Sequence, residues 1–287
     1  MTCENEVAAS PRGNAQAAEK TAEIAAHYSD VARAAGSAGA ACECCEPDPA
    51  QAGEAFSLYA EEVLAGLPKG ALAASRGCGD PVAKANLQTG EHVLDLGSGG
   101  GIDALIAARL VGAEGHVFGL DMTPDMISLA RKNAAEAGVD NVDFIEGSID
   151  NIPLPDASVD VVISNCVINL CENKAAVFAE AKRVLVPGGR LVVSDIVAFS
   201  PIPDGAGDAL STITGCRRGI TPADEYRAMM GECGFAKTSI EPKTVYTVDV
   251  LREKATRKKR EKALEKALAY DVDSVCGSAI IRATAAS

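Results

Sequence analysis

The sequence predicts an α/β fold, in which a parallel β-sheet carries helices on both faces. Apolar segments of strand length alternate with longer amphipathic segments from residue 91 onward, which is the order of elements in such sheets. A glycine-rich loop separates the first of these strands from the helix that follows it. The balance of 47% hydrophobic and 23% charged residues is that of a globular chain.

The predicted elements follow one another at short intervals. Strands are predicted at 92–97, 115–121, 141–147, 159–165 and 189–195. Helices are predicted at 21–35, 102–112, 123–138 and 172–185. Beyond residue 200 the pattern is less regular, with a Pro- and Gly-rich excursion at 200–219, a helix at 221–234, strand-like segments near 236–249, a charged helix at 251–270 and a strand at 278–284.

Three regions are expected along the chain. Residues 1–55 are expected to form a flexible N-terminal helix and a cysteine-rich loop, and 56–200 the ligand-binding core. Residues 201–287 are expected to add a smaller α+β extension. The first ten residues contain two Glu and lack the basic start and apolar segment of a secretory signal. No segment reaches the length of a membrane span, so we expect a cytoplasmic protein without a membrane partner.

The charge balance argues against a nucleic-acid partner. The chain has 27 Lys and Arg against 40 Asp and Glu, a formal net charge of −13. Such a chain repels polyphosphate, because binding to nucleic acids depends on neutralising phosphates with basic groups. A basic segment at 252–266 contains interleaved Glu residues, a pattern that favours a solvated helix.

The glycine-rich loop, DLGSGGGID at 95–103, is the first candidate binding element. Gly97, Gly99 and Gly101 allow a ligand to approach the backbone, and the next helix begins with free N–H groups. A dinucleotide-binding loop, with the pattern G-x-G-x-x-G or G-x-G-x-x-A, is the alternative. Counted from Gly97, the last position is Ile102 and the pattern is not met; counted from Gly99, it is Ala104 and the looser form is met. The glycines alone do not decide between the two ligands.

Two acidic residues argue against a pyrophosphate as the ligand of this loop. Asp95 precedes the first glycine, where its carboxylate would meet a cationic or amino-bearing ligand. Asp121 ends the second strand, where it can accept hydrogen bonds from ribose hydroxyls. Together with the turn in LVPGGRLVVSD (185–195), these features resemble the S-adenosylmethionine (SAM)-dependent methyltransferases. The resemblance implies a Rossmann-like, seven-stranded sheet and a cofactor site formed by Asp95, Gly97, Ser98, Gly99, Asp121, Met122, Ser148, Ile149 and Asn165.

Four further segments are similar to motifs of the arsenite methyltransferase family: GCGDPVA (77–83), DMTPDMI (121–127), SNCVINL (164–170) and TGCRRG (214–219). The resemblance implies that Cys78, Cys166 and Cys216 bind arsenic as thiols. It also implies that one of Cys42, Cys44 and Cys45 is a redox partner of Cys78. The motif does not identify which one, and Cys45 is the preferred candidate.

Trivalent arsenic suits such a site, because it is soft and prefers thiolate sulfur. Bound by three sulfurs, it keeps a lone pair that can attack the sulfonium methyl in line, and no general base is needed. The resemblance implies arsenite and methylarsenicals as substrates, in arsenic detoxification. Because each transfer oxidises arsenic, a thiol reductant such as thioredoxin or glutathione is expected as a partner. No stable metal cofactor is expected.

Other interpretations remain open from the sequence. The cysteines could be incidental to a methyltransferase that acts on carbon or oxygen of a small organic molecule. The chain could also be a non-catalytic thiol protein that sequesters arsenic or another soft metal. The cluster CECC at 42–45 could form half of a zinc site. Cys171, Cys233 and Cys276 are expected to lie outside the reactive set, since a single buried Cys is usually packing.

Overall fold

The structure, a computed structural model, describes residues 11–38 and 58–286. Its centre is a sheet of eight strands, seven of which follow the order β3-β2-β1-β4-β5-β8-β7, while the short β6 pairs with β5. The strands are β1 His92–Leu96, β2 His116–Asp121, β3 Val142–Glu146, β4 Val159–Asn165, β5 Leu185–Ala198, β6 Thr221–Pro222, β7 Phe235–Val245 and β8 Cys276–Ala285. The predicted α/β class and the five core strands are confirmed.

Eleven α-helices and one 3-10 turn surround this sheet in the described ranges. They are α1 Pro11–Ala38, α2 Glu61–Leu64, α3 Lys69–Ala74, α4 Pro81–Ala85, α5 Ile102–Val111, α6 Pro124–Ala137, the 3-10 turn Ile168–Leu170, α7 Lys174–Val184, α8 Gly207–Thr214, α9 Ala223–Glu232, α10 Val248–Arg257 and α11 Glu261–Ala267. None of the helices in these ranges combines the length and apolarity required to cross a membrane.

The position of the binding crevice follows from the strand order. Strands β1 to β5 are parallel, and the order reverses between β1 and β4, which are neighbours. Ligands of such sheets bind beyond the carboxyl ends of the strands at this reversal. Both central strands are buried along most of their length, as expected for a parallel sheet covered on both faces.

The C-terminal residues complete the sheet. Strand β8 pairs antiparallel with β5 along nine residue pairs, and β7 pairs antiparallel with β8. This covers the edge of β5, which would otherwise present unpaired backbone groups to another chain. Residues 201–287, expected as an extension, therefore share the sheet of the core.

Two sequence predictions on this side are wrong in detail. The charged segment 251–270 forms two helices, α10 and α11, because the chain turns between them at Lys259, which has a φ of +53°. The irregular excursion at 200–219 contains a helix, α8. Ile213, Leu251 and Ala267, one from each of these three helices, are buried in one cluster beside the thiol-bearing end of the sheet.

Helix α1 begins earlier than predicted and lies across the carboxyl ends of the strands. Its C-terminal half packs Ala32 and Ala35 against Ala74, Met126 and Leu129. An ion pair between Arg33 and Asp125 joins the same half to α6. The cysteines at positions 3, 42, 44 and 45 lie outside the described residues.

Candidate active site

The glycine-rich loop between β1 and α5 forms one wall of a cavity of about 260 Å³. Gly97, Gly99 and Gly101 all have positive φ values, a conformation that glycine adopts without strain. A Cβ at Gly99 would have Met126 Sδ, at 4.0 Å, as its nearest neighbour, so it would stand in open space against the cavity. The loop therefore leaves room for a ligand against its backbone.

Asp121, at the end of β2, ties this loop to the next helix. Its Oδ2 accepts a hydrogen bond from Gly99 N at 3.0 Å, and its Oδ1 accepts one from Thr123 N at 2.8 Å. Burial raises the pKa of the Asp121 carboxyl, and the two backbone donors oppose that rise. Because each carboxylate oxygen has a second lone pair, Asp121 can still accept hydrogen bonds from a ligand in the cavity.

Asp95 lies behind the loop and is outside the described cavity wall. Its side chain is only 2% exposed, and burial beside Asp103 and Asp121 raises its pKa well above the usual range. Its Oδ2 and the Oγ of Ser98 are buried without a hydrogen-bond partner among the described residues. Of the two residues only Ser98 lines the cavity, so its hydroxyl is the one left for a ligand to pair with.

Asp103 belongs to the cavity wall and was missed by the sequence analysis. Its Oδ1 accepts a hydrogen bond from Tyr59 Oη at 2.8 Å, and its Oδ2 accepts one from Asn165 Nδ2 at 3.1 Å. Burial raises the pKa of Asp103 to about 7, although both hydrogen bonds act in the opposite direction. An acid in the first turn after a glycine loop was the available signal; nothing in the sequence pointed to Tyr59.

The structure brings together eight of the nine residues predicted for the cofactor. The cavity wall contains Gly97, Ser98, Gly99, Asp121, Met122, Ser148, Ile149 and Asn165. Helix α1 covers this cavity with Ala17, Thr21, Ile24 and Tyr28. Sequence analysis gave no indication of that cover, because α1 is remote from the core along the chain.

A second cavity, of about 970 Å³, contains all three cysteines predicted to bind arsenic. Cys78 and Cys166 are joined in a disulfide across 88 residues of sequence. The predicted partner of Cys78 was one of Cys42, Cys44 and Cys45, which lie outside the described residues. The observed bond follows from Asn165, whose Oδ1 accepts hydrogen bonds from Cys78 N and Gly79 N and so holds the 77–79 loop against the end of β4.

The glycines around Cys78 make this close approach possible. A Cβ at Gly77 would lie 2.6 Å from Asn165 Cγ, and a Cβ at Gly79 would lie 3.0 Å from Ser194 Cβ. A Cβ at Gly79 would also overlap the Ser194 hydroxyl, so neither glycine can be replaced unless Asn165 or Ser194 shifts. The motif GCG therefore lets Cys78 lie directly over the ends of β4 and β5.

Cys166 lies where the two cavities meet and lines both of them. Its φ is +60°, a left-handed conformation that is uncommon for a residue other than glycine. A hydrogen bond from Cys166 N to Ser194 O at 2.7 Å holds this geometry. Strained backbone is typical of functional positions.

Cys216, in the turn after α8, lines the same cavity but lies outside the group of ligand atoms within 4.8 Å of one another, which contains Cys78 and Cys166. It is 5% exposed, and burial, together with the nearby Asp195 carboxylate, raises the pKa of its thiol to about 12. The Cys216 Sγ lies 4.0 Å from Asn169 Nδ2. Its thiol is therefore protonated at neutral pH in this structure.

Asp195, at the carboxyl end of β5, was also missed by the sequence analysis. One of its carboxylate oxygens and the Sγ atoms of Cys78 and Cys166 all lie within 4.8 Å of one another. Tyr226 Oη donates a hydrogen bond to Asp195 at 2.8 Å, and Asn169 donates through both its backbone and its side chain. Burial raises the pKa of Asp195 to about 6. This network anchors the polar end of the thiol cavity.

The remaining described cysteines are Cys171, Cys233 and Cys276. Cys276 is fully buried among apolar neighbours, and Cys233 donates its S–H to Ala175 O. Cys171 lines the cofactor cavity, with its pKa raised to about 11 by burial and by Asp150. Only its position in the cavity wall distinguishes Cys171 from a packing cysteine.

Comparison with known proteins agrees with this arrangement. A family model described as a methyltransferase domain matches residues 87–248. The arsenite methyltransferase of Halobacterium salinarum is 45% identical over 200 residues, which are 70% of this chain and 51% of that protein. The human arsenite methyltransferase is 41% identical over 121 residues, 39% of this chain and 32% of that protein. The chain thus spans about half, or less, of the length of these relatives.

One solved structure matches this chain over a larger share of both proteins. The arsenic(III) S-adenosylmethionine methyltransferase of Chlamydomonas reinhardtii is 31% identical to this chain, with a TM-score of 0.56. The similarity covers 83% of this chain and 73% of that protein. By its sheet, its two adjoining cavities and these similarities, the chain belongs to the arsenite methyltransferase family of SAM-dependent methyltransferases.

Proposed function

We propose that this protein transfers a methyl group from SAM to trivalent arsenic held by cysteine thiols. The observation that carries the proposal is the position of Cys166, which lines both the glycine-loop cavity and the cavity that holds Cys78 and Cys216. A methyl donor in the first cavity and arsenic in the second would meet at this residue. Alignment of two reactants is a large source of rate acceleration when no proton has to be moved.

SAM would supply an electrophilic methyl group on a sulfonium. Gly97, Ser98 and Gly99 would hold it against the loop backbone, and Asp121 with Met122 would hold its ribose and adenine. Ser148 and Ile149 would flank the adenine, and Asp95 would act from behind the loop through its unpaired Oδ2. Asn165 and Asp103 would complete the wall, and α1 would exclude water from above.

Arsenic would be bound by Cys78, Cys166 and Cys216. Because the first two are joined in a disulfide, the site has to be reduced before it can bind the substrate. Two external thiols provide the two electrons: the S–S bond breaks, two cysteine thiols form, and one external disulfide is released. Each As–S bond then forms as a thiol proton leaves with an arsenic hydroxyl as water. The Asp195–Asn169–Tyr226 network would fix the protein groups around these sulfurs.

A thiol reductant is also needed after the transfer, which oxidises arsenic by two electrons. A pair of enzyme thiols, such as Cys78 with Cys45 or with Cys166, would return those electrons as it forms a disulfide. The thiol cavity includes Arg76, Lys258 and Arg260 in its wall, which favours an anionic thiol such as glutathione over a neutral one. This chemistry belongs to a reducing compartment such as the cytoplasm, and it would contribute to arsenic detoxification.

The proposal is tested by incubating the protein with arsenite, SAM labelled in its methyl group, and glutathione, followed by chromatographic separation of the arsenic species. We expect labelled mono- and further methylated arsenicals, and their absence when the reductant is left out. Binding of arsenite without binding of SAM, and without any methylated product, would instead support the sequestering function.

A further inference from the structure

Arg218 joins the thiol cavity to the cover of the cofactor cavity. Its side chain is 9% exposed and lies in the wall of the thiol cavity, two residues after Cys216. Its Nη2 donates to Ala17 O at 2.9 Å and to Thr21 Oγ1 at 2.6 Å, both on α1. Its Nη1 pairs with Glu172 at 3.3 Å. All three partners line the cofactor cavity.

A backbone hydrogen bond holds Arg218 and Cys216 in one tight turn. Gly219 N donates to Cys216 O at 3.0 Å, which closes a four-residue turn with Arg218 in its third position. Gly215 precedes this turn and Gly219 ends it, and both have a φ of +94°. The turn therefore ties the backbone of Cys216 to that of Arg218.

The two halves of α1 are attached in different ways. The C-terminal half is held by the apolar contacts of Ala32 and Ala35 and by the Arg33–Asp125 ion pair. The N-terminal half, which contains Ala17 and Thr21, receives the hydrogen bonds of Arg218. Loss of these bonds would release the start of the cover, at Ala17 and Thr21, while Tyr28 stays packed with Ala32 and Ala35.

We propose that Arg218 is a positioning residue, which holds the N-terminal half of α1 over the cofactor cavity and ties this cover to the Cys216 turn. The proposal rests on the proposed function, since it assigns the cover to SAM and the turn to arsenic. Arginine suits the task because its planar fork reaches α1 and Glu172 at once, whereas lysine offers a single point charge.

The test compares Arg218→Met, Thr21→Val and the control Arg227→Met. Arg227 is an exposed residue of α9 whose ion pair with Asp224 lies within that helix. In the ligand-free proteins we expect amide hydrogen exchange of residues 17–24 to be about tenfold faster in Arg218→Met and about threefold faster in Thr21→Val. The control should exchange as the wild type does. If Arg218→Met loses its cooperative melting transition, it does not fold normally, and the exchange rates of Thr21→Val alone test the proposal.

Two further readouts separate positioning from general destabilisation. In Arg218→Met, calorimetry should show a dissociation constant for SAM raised about tenfold, equivalent to about 1.4 kcal/mol, and KM for SAM should rise more than kcat falls. Alkylation of Cys216 should be about threefold faster in Thr21→Val, although that substitution lies on α1.

Wild-type exchange at residues 17–24 in both variants, or a SAM dissociation constant within twofold of wild type in Arg218→Met, would overturn the proposal. Hydrogen exchange is measured without SAM or arsenite, so it still tests the role of Arg218 if the wild-type protein methylates no arsenic. That absence of methylation would overturn the proposed function instead.

Discussion

The two cavities that meet at Cys166 draw their candidate functional residues from the chain in different ways. Five of the residues predicted for the cofactor, Gly97, Ser98, Gly99, Asp121 and Met122, come from one stretch of chain in which a glycine loop and the ends of two strands are neighbours in sequence. Residues 202–220 line much of the thiol cavity, but its candidate functional residues, Cys78, Cys166, Asp195 and Cys216, come from four remote segments. The first kind of site depends on local backbone geometry, and the second on the topology of the whole sheet.

This difference predicts that the sites can be damaged separately. The largest effect is expected for Cys166→Ser and Cys216→Ser, because a hydroxyl is a poor ligand for a soft element. Each should lower arsenite methylation by roughly 1,000-fold or more, about 4 kcal/mol in the barrier. The dissociation constant for SAM should stay within about twofold in Cys216→Ser, since Cys216 lines only the thiol cavity.

The matched control for these variants is Cys233→Ser, which changes a half-buried thiol outside both cavities. It should methylate arsenite as the wild type does. Full activity in either Cys166→Ser or Cys216→Ser, measured by separation of the arsenic products, would show that three-thiol binding is not the mechanism.

The converse prediction concerns Asp121→Asn. This change weakens the bonds from Gly99 N and Thr123 N that order the loop, and bonds to a charged acceptor contribute about 1.5–3 kcal/mol each. We expect the dissociation constant for SAM to rise about 50-fold, as measured by calorimetry, while the reduced protein binds arsenite unchanged. The control is Asp140→Asn, which removes the same charge from an exposed residue. An equal rise in the dissociation constant for SAM in this control would show that net charge alone accounts for the effect.

A smaller effect should appear in the pH dependence of stability. The pKa of Asp103 is about 7 in the folded protein against 3.8 as its ordinary value, so the folded state holds a proton that the unfolded state has lost. This stabilisation is fully present below about pH 4 and is lost as pH rises through about 7. The free energy of unfolding should therefore fall between pH 5 and pH 8, by roughly 2–3 kcal/mol from Asp103 alone.

Asp103→Asn removes that titration, so denaturant melts at the two pH values should show a correspondingly smaller difference. Asp140→Asn should keep the wild-type difference. An unchanged pH dependence in Asp103→Asn would mean that the carboxyl is ionised in the folded protein at pH 5.

The smallest effect is expected for Cys276→Ala. Cys276 is fully buried in the same apolar cluster as Cys216, so its removal should lower the free energy of unfolding by about 1 kcal/mol. Methylation should remain within about twofold of wild type. A large loss of activity with normal stability would place Cys276 among the reactive thiols.

The contrast between the cavities also explains what could be predicted from the sequence. The loop from Gly97 to Gly99 and the acid at Asp121 were predictable because neighbouring residues carry both the fold and the chemistry. The proximity of Cys78 to Cys166 was expected only through the family resemblance, since no local pattern shows it: it depends on Asn165 reaching a loop 87 residues away in sequence. Tyr59, Asp195 and the cover by α1 were missed for the same reason: each is placed by tertiary contacts that leave no local pattern.

The central claim is that three thiols from separate segments hold arsenic beside the cofactor cavity. X-ray absorption at the arsenic edge, on reduced protein loaded with one equivalent of arsenite, tests it most directly. The account predicts an arsenic shell of three sulfur atoms in the wild type, and of two sulfurs and one lighter atom in Cys216→Ser. A shell dominated by oxygen in the wild type, or an unchanged three-sulfur shell in Cys216→Ser, would contradict it.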